Sequence, residues 1–75
     1  MNFDKELDAR GLACPLPIVK TKKSLNDMTP GQVLKVVLTD VGSLKDMQAF
    51  ASQTGNELIS TQESGKEFVF FLRKN

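Results

Sequence analysis

The chain holds a single thiol, Cys14, in the stretch ARGLACPLPIVK, where it directly precedes Pro15. Proline is best tolerated in the first turn of a helix, whose amide hydrogen would lack a partner anyway, so a helix is predicted to start beside Cys14. Helix N-termini carry a partial positive charge and unsatisfied amide donors, both of which favour thiolate over thiol. This reading predicts a Cys14 of lowered pKa and raised nucleophilicity. A thiolate accepts and donates sulfane sulfur by the same exchange at sulfur that governs disulfides, and one cysteine suffices to carry one sulfur atom as a persulfide. The competing reading is structural, with Cys14 as a small buried hydrophobe.

The neighbours and absentees narrow the chemistry. There is no histidine, which removes every Cys-His and Ser-His dyad and leaves backbone dipoles, cations or a partner's groups to activate the thiol. One cysteine forms no internal disulfide, and without histidine no zinc site is expected. Neither a metal nor another cofactor is expected. Pro15 and Pro17 withdraw two amide donors and stiffen the turn, so the remaining donors are expected to point toward the sulfur or solvent. Arg10, Lys20, Lys22 and Lys23 place cations before and along the helix, where they would dock an acidic partner or simply stay solvated. Asp8 and Asp40, at expected strand ends, could cap loops, accept backbone hydrogen bonds or line the site, and capping is the favoured reading for both.

The elements that must position Cys14 follow from patterning. Phe3 to Ala9 alternates, with Phe3, Leu7 and Ala9 on one side and Asp4, Glu6 and Asp8 on the other, predicting a half-buried strand. The helix after Cys14 is expected to bury Leu16, Ile18, Val19, Leu25 and Met28, with Thr29, Pro30 and Gly31 stopping it. Val33 to Leu38 reads as a central strand. Ser43, with Asp46 three residues on, reads as the N-cap of a second helix that buries Leu44, Met47, Phe50 and Ala51 and ends at Gly55. Leu58 to Leu72 reads as a hairpin turning at Ser64-Gly65, its second arm central.

The order β-α-β-α-β-β predicts an α/β two-layer sandwich, with both helices on one face of a mixed four-stranded sheet. Residues 1–75 form one domain in this reading, since 75 residues leave no room for a deep cleft. Alternation puts Leu34, Val36, Leu38, Phe68, Phe70 and Leu72 on the helix side. It leaves Val33, Val37, Val69 and Phe71 on the other, either as a patch for a partner or a second copy or beneath long stems such as Lys35.

Composition sets the remaining bounds. Forty per cent hydrophobic against 25% charged residues indicates an ordinary globular chain. A net charge of +1 and no aromatic stacking platform argue against direct nucleic-acid binding. The charged beginning MNFDKELDAR lacks a signal-peptide core and no run reaches membrane-spanning length, so a cytoplasmic, membrane-free location is expected.

The stretch LDARGLACPLPIVKTKKSL, with its Cys-Pro-x-Pro motif at a helix start, resembles the TusA family of sulfur-carrier proteins, which includes SirA-like and YeeD-like members. Leu7, Asp8, Arg10, Gly11, Leu12, Cys14, Pro15 and Pro17 stand where that motif expects them, and the likeness continues through TDVGSLKDMQAFASQTGNEL and the closing hairpin. The resemblance implies the same fold and a sulfurtransferase-type carrier with a persulfide on the motif cysteine. It further implies a cysteine desulfurase or rhodanese-like sulfur donor and a downstream acceptor protein, in tRNA thiolation, molybdenum-cofactor assembly or sulfur oxidation. Many relatives have proline where Val41 stands, and some carry a second cysteine near Phe50 and Ala51. A two-thiol relay within this chain is therefore excluded. A monomer is expected. The alternative is a non-catalytic binding or regulatory module in which Cys14 packs.

Overall fold

A computed structural model describes residues 2–75 of the chain. The elements are β1 (Lys5–Ala9), α1 (Leu16–Asn26), β2 (Val33–Leu38), α2 (Ser43–Thr54), β3 (Glu57–Ser64) and β4 (Glu67–Arg73). The sheet runs β1-β2-β4-β3, with β1 parallel to β2 and the other two pairings antiparallel. This is the mixed four-stranded sheet with two helices that the patterning predicts. β2 and β4 are central, and they are the two strands with near-continuous apolar sequence.

Register follows from side-chain alternation. Leu34 pairs with Leu72, Val36 with Phe70 and Leu38 with Phe68, so one face of the central pair is wholly apolar. All six are buried in one cluster with Leu25, Met28, Met47, Phe50 and Ala51 from the helical layer. Burying a side chain of this size contributes about 1.5–3 kcal/mol, so this layer is the main source of stability. The hairpin turns at Gly65-Lys66, one residue later than expected, because Ser64 still pairs with Glu67. Gly65 has φ +62°, a conformation in which glycine's missing Cβ is an advantage.

The other sheet face is more covered than exposed. Phe71 is 4% and Val37 8% exposed, while Val33 and Val69 are half-buried. Phe3 lies outside β1 and joins this face rather than the one shared by Leu7 and Ala9. Its ring packs on Phe71 at 6.4 Å between centroids, and the Lys35 Nζ sits 5.2 Å above it. Lys35 also pairs with Glu6 at 3.6 Å. Of the two expectations for this surface, the long-stem cover describes it better than an open patch.

The first helix corrects the expected core face. α1 buries Pro17, Thr21, Ser24 and Leu25, while Leu16 is 48% and Val19 55% exposed. Apolar residues at 16, 18 and 19 span too wide an arc to fix the helix's rotation. A polar residue can turn inward when it is satisfied, and the Thr21 hydroxyl donates to the Pro17 carbonyl at 2.7 Å. α2 buries Met47, Phe50 and Ala51 as expected, with Leu44 half-buried, and closes at Gly55 with φ +77°. No helix among the described residues is long and apolar enough to cross a membrane.

Candidate functional site

Parallel pairing of β1 and β2 determines what meets Cys14. Ala9 lies opposite Leu38, so the loops that leave the two strands emerge side by side at their carboxyl ends. Such ends of parallel strands are where α/β sheets usually place their chemistry. The first loop turns at Gly11, with φ +79°, whose amide donates to the Thr39 hydroxyl at 2.9 Å. The Cys14 amide donates to Asp40 Oδ2, also at 2.9 Å. These two bonds tie the cysteine loop to the β2–α2 loop.

Asp40 caps α2. Its Oδ2 accepts from the Ser43 hydroxyl at 2.9 Å, its Oδ1 from the Gly42 amide at 3.4 Å, and its carbonyl from the Ser43 amide. The loop-cap reading of Asp40 is right. Ser43, by contrast, is the first helical residue rather than the N-cap, a position taken by Gly42. Hydrogen bonds from the Cys14 amide and the Ser43 hydroxyl hold the Asp40 carboxyl below the usual carboxylate range.

Cys14 is exposed, so the packed-hydrophobe reading fails. Its thiol donates from Sγ to Asp46 Oδ2 at 2.8 Å. That bond to a carboxylate, supported by desolvation and by the negative charges of Asp46 and Asp40, raises the pKa of the thiol. The expected lowering by α1 does not occur, and the backbone explains why. Pro15 and Pro17 have no amide hydrogen, the Leu16 amide donates to Ala13, and those of Ile18 and Val19 both donate to the Pro15 carbonyl. The amides of the first turn are thus spoken for. The two prolines stiffen the turn, but no donor is left over for the sulfur.

The expected cations do not reach the sulfur either. Arg10 grips Asp8 through two nitrogens, at 2.9 and 3.0 Å, and contacts Glu67 at 3.4 Å. This pairing, with the Arg10 amide on Asp8 Oδ1, lowers the Asp8 carboxyl to about 2 and raises the guanidinium further above its ordinary value. Asp8 therefore caps its loop, as expected, and also fixes Arg10. Lys20, Lys22 and Lys23 are exposed on α1 and make no ion pair among the described residues.

Sequence reasoning missed Asp46 as a neighbour of the thiol, having read it only as an acid in the first turn of α2. Beside the sulfur, a shallow groove of about 290 Å³ runs between the helices, lined by Pro15, Ile18, Asp46, Ala49, Phe50 and Gln53. Taken together, fold and site define a small α/β domain that presents one exposed thiol from a braced loop at the carboxyl ends of two parallel strands.

The description "Sulfurtransferase TusA" belongs to the family whose profile matches residues 5–74, and the chain belongs to that family. It is 58% identical over 74 residues to the sulfur carrier protein TusA of Allochromatium vinosum, a match that covers 99% of this chain and 97% of that one. It is 52% identical over 68 residues to YrkF of Bacillus subtilis, covering 91% of this chain but only 37% of that longer protein. The crystal structure of a SirA-like protein from Desulfitobacterium hafniense shares the fold, with a TM-score of 0.83 at 22% identity over 93% of this chain and 96% of that one.

Proposed function

We propose that this protein is a sulfur carrier that takes up sulfane sulfur on Cys14 and passes it to an acceptor protein. The observation that carries the reading is the exposure of the chain's sole thiol at the end of a loop braced by Gly11 and Asp40. Membership of the sulfurtransferase family supports it.

In the loading step Cys14 Sγ gives up its proton and attacks the outer sulfur of a donor persulfide. A bond forms between Sγ and that sulfur as the donor's S–S bond breaks. The donor's inner sulfur leaves as a thiolate, which takes up a proton. Discharge repeats the exchange, with an acceptor nucleophile attacking the outer sulfur and Cys14 as the leaving group. No net oxidant or reductant is needed.

Donors of the cysteine desulfurase or rhodanese-like kind suit this chemistry. The candidate routes for the sulfur remain tRNA thiolation, molybdenum-cofactor assembly and sulfur oxidation. A groove beside the thiol gives a partner's sulfur-bearing loop a place to approach, and the Lys20, Lys22 and Lys23 flank of α1 suits an acidic partner surface. The cytoplasm, where a lone exposed thiol stays reduced, fits as the location.

Incubation with polysulfide, or with a cysteine desulfurase and cysteine, tests the proposal. The protein should gain the mass of one sulfur atom on Cys14, and Cys14→Ser should gain none. Equal gain in the variant, or no gain in the native protein, would overturn the reading.

A further inference from the structure

The feature that the carrier reading leaves unused is the contact between Asp46 and the sulfur. Asp46 stands in the first turn of α2, 32 residues from Cys14, and its Oδ2 accepts the thiol hydrogen at 2.8 Å. Both side chains are exposed, so neither burial nor packing forces the contact. Among the described residues, the charged groups that bear on Sγ are Asp46 from α2 and Asp40 from the loop before it. Arg10 is engaged by Asp8 and Glu67.

A thiol sulfur has one hydrogen to give, and Cys14 gives it to Asp46. Once Sγ carries a second sulfur atom, that hydrogen is gone. The inner sulfur then presents only lone pairs to a carboxylate oxygen at hydrogen-bond distance, which is repulsive. The outer sulfur is more acidic than an ordinary thiol and ionises readily, so negative charge is added beside two carboxylates. The contact therefore exists in the empty carrier and must break in the loaded one.

We infer that Asp46 is a positioning residue that latches the empty thiol and so biases the carrier toward surrendering its sulfur. An interaction made by only one of two states stabilises that state. Here the stabilised state is the discharged one, and the loaded side chain is pushed out from Asp46 toward solvent, where an acceptor can reach it. The inference rests on Cys14 being the sulfur-bearing residue and adds what sets its tendency to let go.

The balanced exchange to measure is Cys14–SH plus glutathione persulfide going to Cys14–S–SH plus glutathione. One S–S bond breaks, one forms, and protons are conserved between the thiols. Its equilibrium constant is read by intact-protein mass spectrometry for the native chain, Asp46→Asn, Asp46→Ala and Asp46→Glu. Loss of the carboxylate should shift the constant toward the loaded carrier by about tenfold, the lower end of what a hydrogen bond to a charged group is worth once solvent exposure is counted. Asp46→Glu should recover part of the native value. Alkylation of Cys14 across a pH series should show its midpoint falling in Asp46→Asn and Asp46→Ala, a change that a purely structural role for Asp46 would not produce. Circular dichroism establishes that each variant is folded.

If the native chain loads and the folded Asn and Ala variants match its constant within twofold, the latch is wrong while the carrier reading stands. If the native chain takes up no sulfur from the persulfide, the carrier reading fails and the latch falls with it.

Discussion

The two helices of this protein begin side by side but are built from different materials. α1 starts with Pro15, Leu16 and Pro17 and directs none of its first-turn amides at the neighbouring thiol. α2 starts among polar side chains: Asp40 accepts from the Ser43 hydroxyl and the Cys14 amide, and Asp46 accepts from the Cys14 thiol. The thiol is thus attached to one helix and governed by the other. A cysteine next to a helix start gains thiolate character only if amide donors remain for it. Here prolines and local turns consume those donors, and the carboxylates of the adjacent helix prevail.

The strongest way to break this contrast is to loosen α2. Met47 is fully buried beneath its first turns, and Met47→Ala should cost of order 2–5 kcal/mol, read from the denaturant midpoint. In the fraction that stays folded, a loosened first turn should weaken the bond from Sγ to Asp46 and speed alkylation of Cys14. Unchanged alkylation with the full stability loss would mean that the position of Asp46 does not depend on how α2 is packed.

A smaller effect should follow from Asp40→Ala, which removes the partner of the Cys14 amide and of the Ser43 hydroxyl. Loss of the hydrogen bonds that Asp40 accepts should loosen both loops and lower the melting temperature by roughly 4–8 °C in a domain of this size. The same variant sharpens the electrostatic side of the comparison. A raised thiol pKa means less thiolate at any given pH, so the native Cys14 should alkylate more slowly than a free thiol near neutrality. Its rate should keep climbing through pH values at which a free thiol has levelled off. Asp40→Ala removes one nearby negative charge and should move that profile toward lower pH. A native alkylation midpoint at lower pH than that of a free thiol would contradict the site electrostatics.

The smallest effect is expected on the outer side of α1. Val19 is 55% exposed, so Val19→Ala should change stability by no more than about 0.5 kcal/mol, whereas a core valine would lose far more. A large loss measured by urea unfolding would restore Val19 to the core.

Much of the fold was legible because strand periodicity is rigid. Alternation in Val33–Leu38 and Glu67–Arg73 leaves only two assignments of faces, and the helix side takes Leu34, Val36, Leu38, Phe68, Phe70 and Leu72 in both the pattern and the structure. The rotation of α1 was not legible. Its apolar residues spread around the helix, and its inner face includes Thr21 and Ser24, whose burial depends on partners that a linear pattern does not display. Phe3 was misplaced for a related reason, since it lies before β1 and is free to turn toward Phe71. Within the site, Cys14, the prolines and the capping role of Asp40 were readable. The pairing of Arg10 with Asp8 and Glu67, and that of Cys14 with Asp46, were not.

By itself the sequence determined the element order, the apolar face of the central strands and the presence of a single thiol before a proline-started helix, because each is a local property of residue type and spacing. Tertiary structure decided the charge around that thiol. Cys14, Asp40 and Asp46 are separated by as many as 32 residues and meet only because β1 and β2 run parallel and release their loops at the same end of the sheet. Electrostatic influence acts through space over a few ångströms, and those distances exist only once the chain has folded.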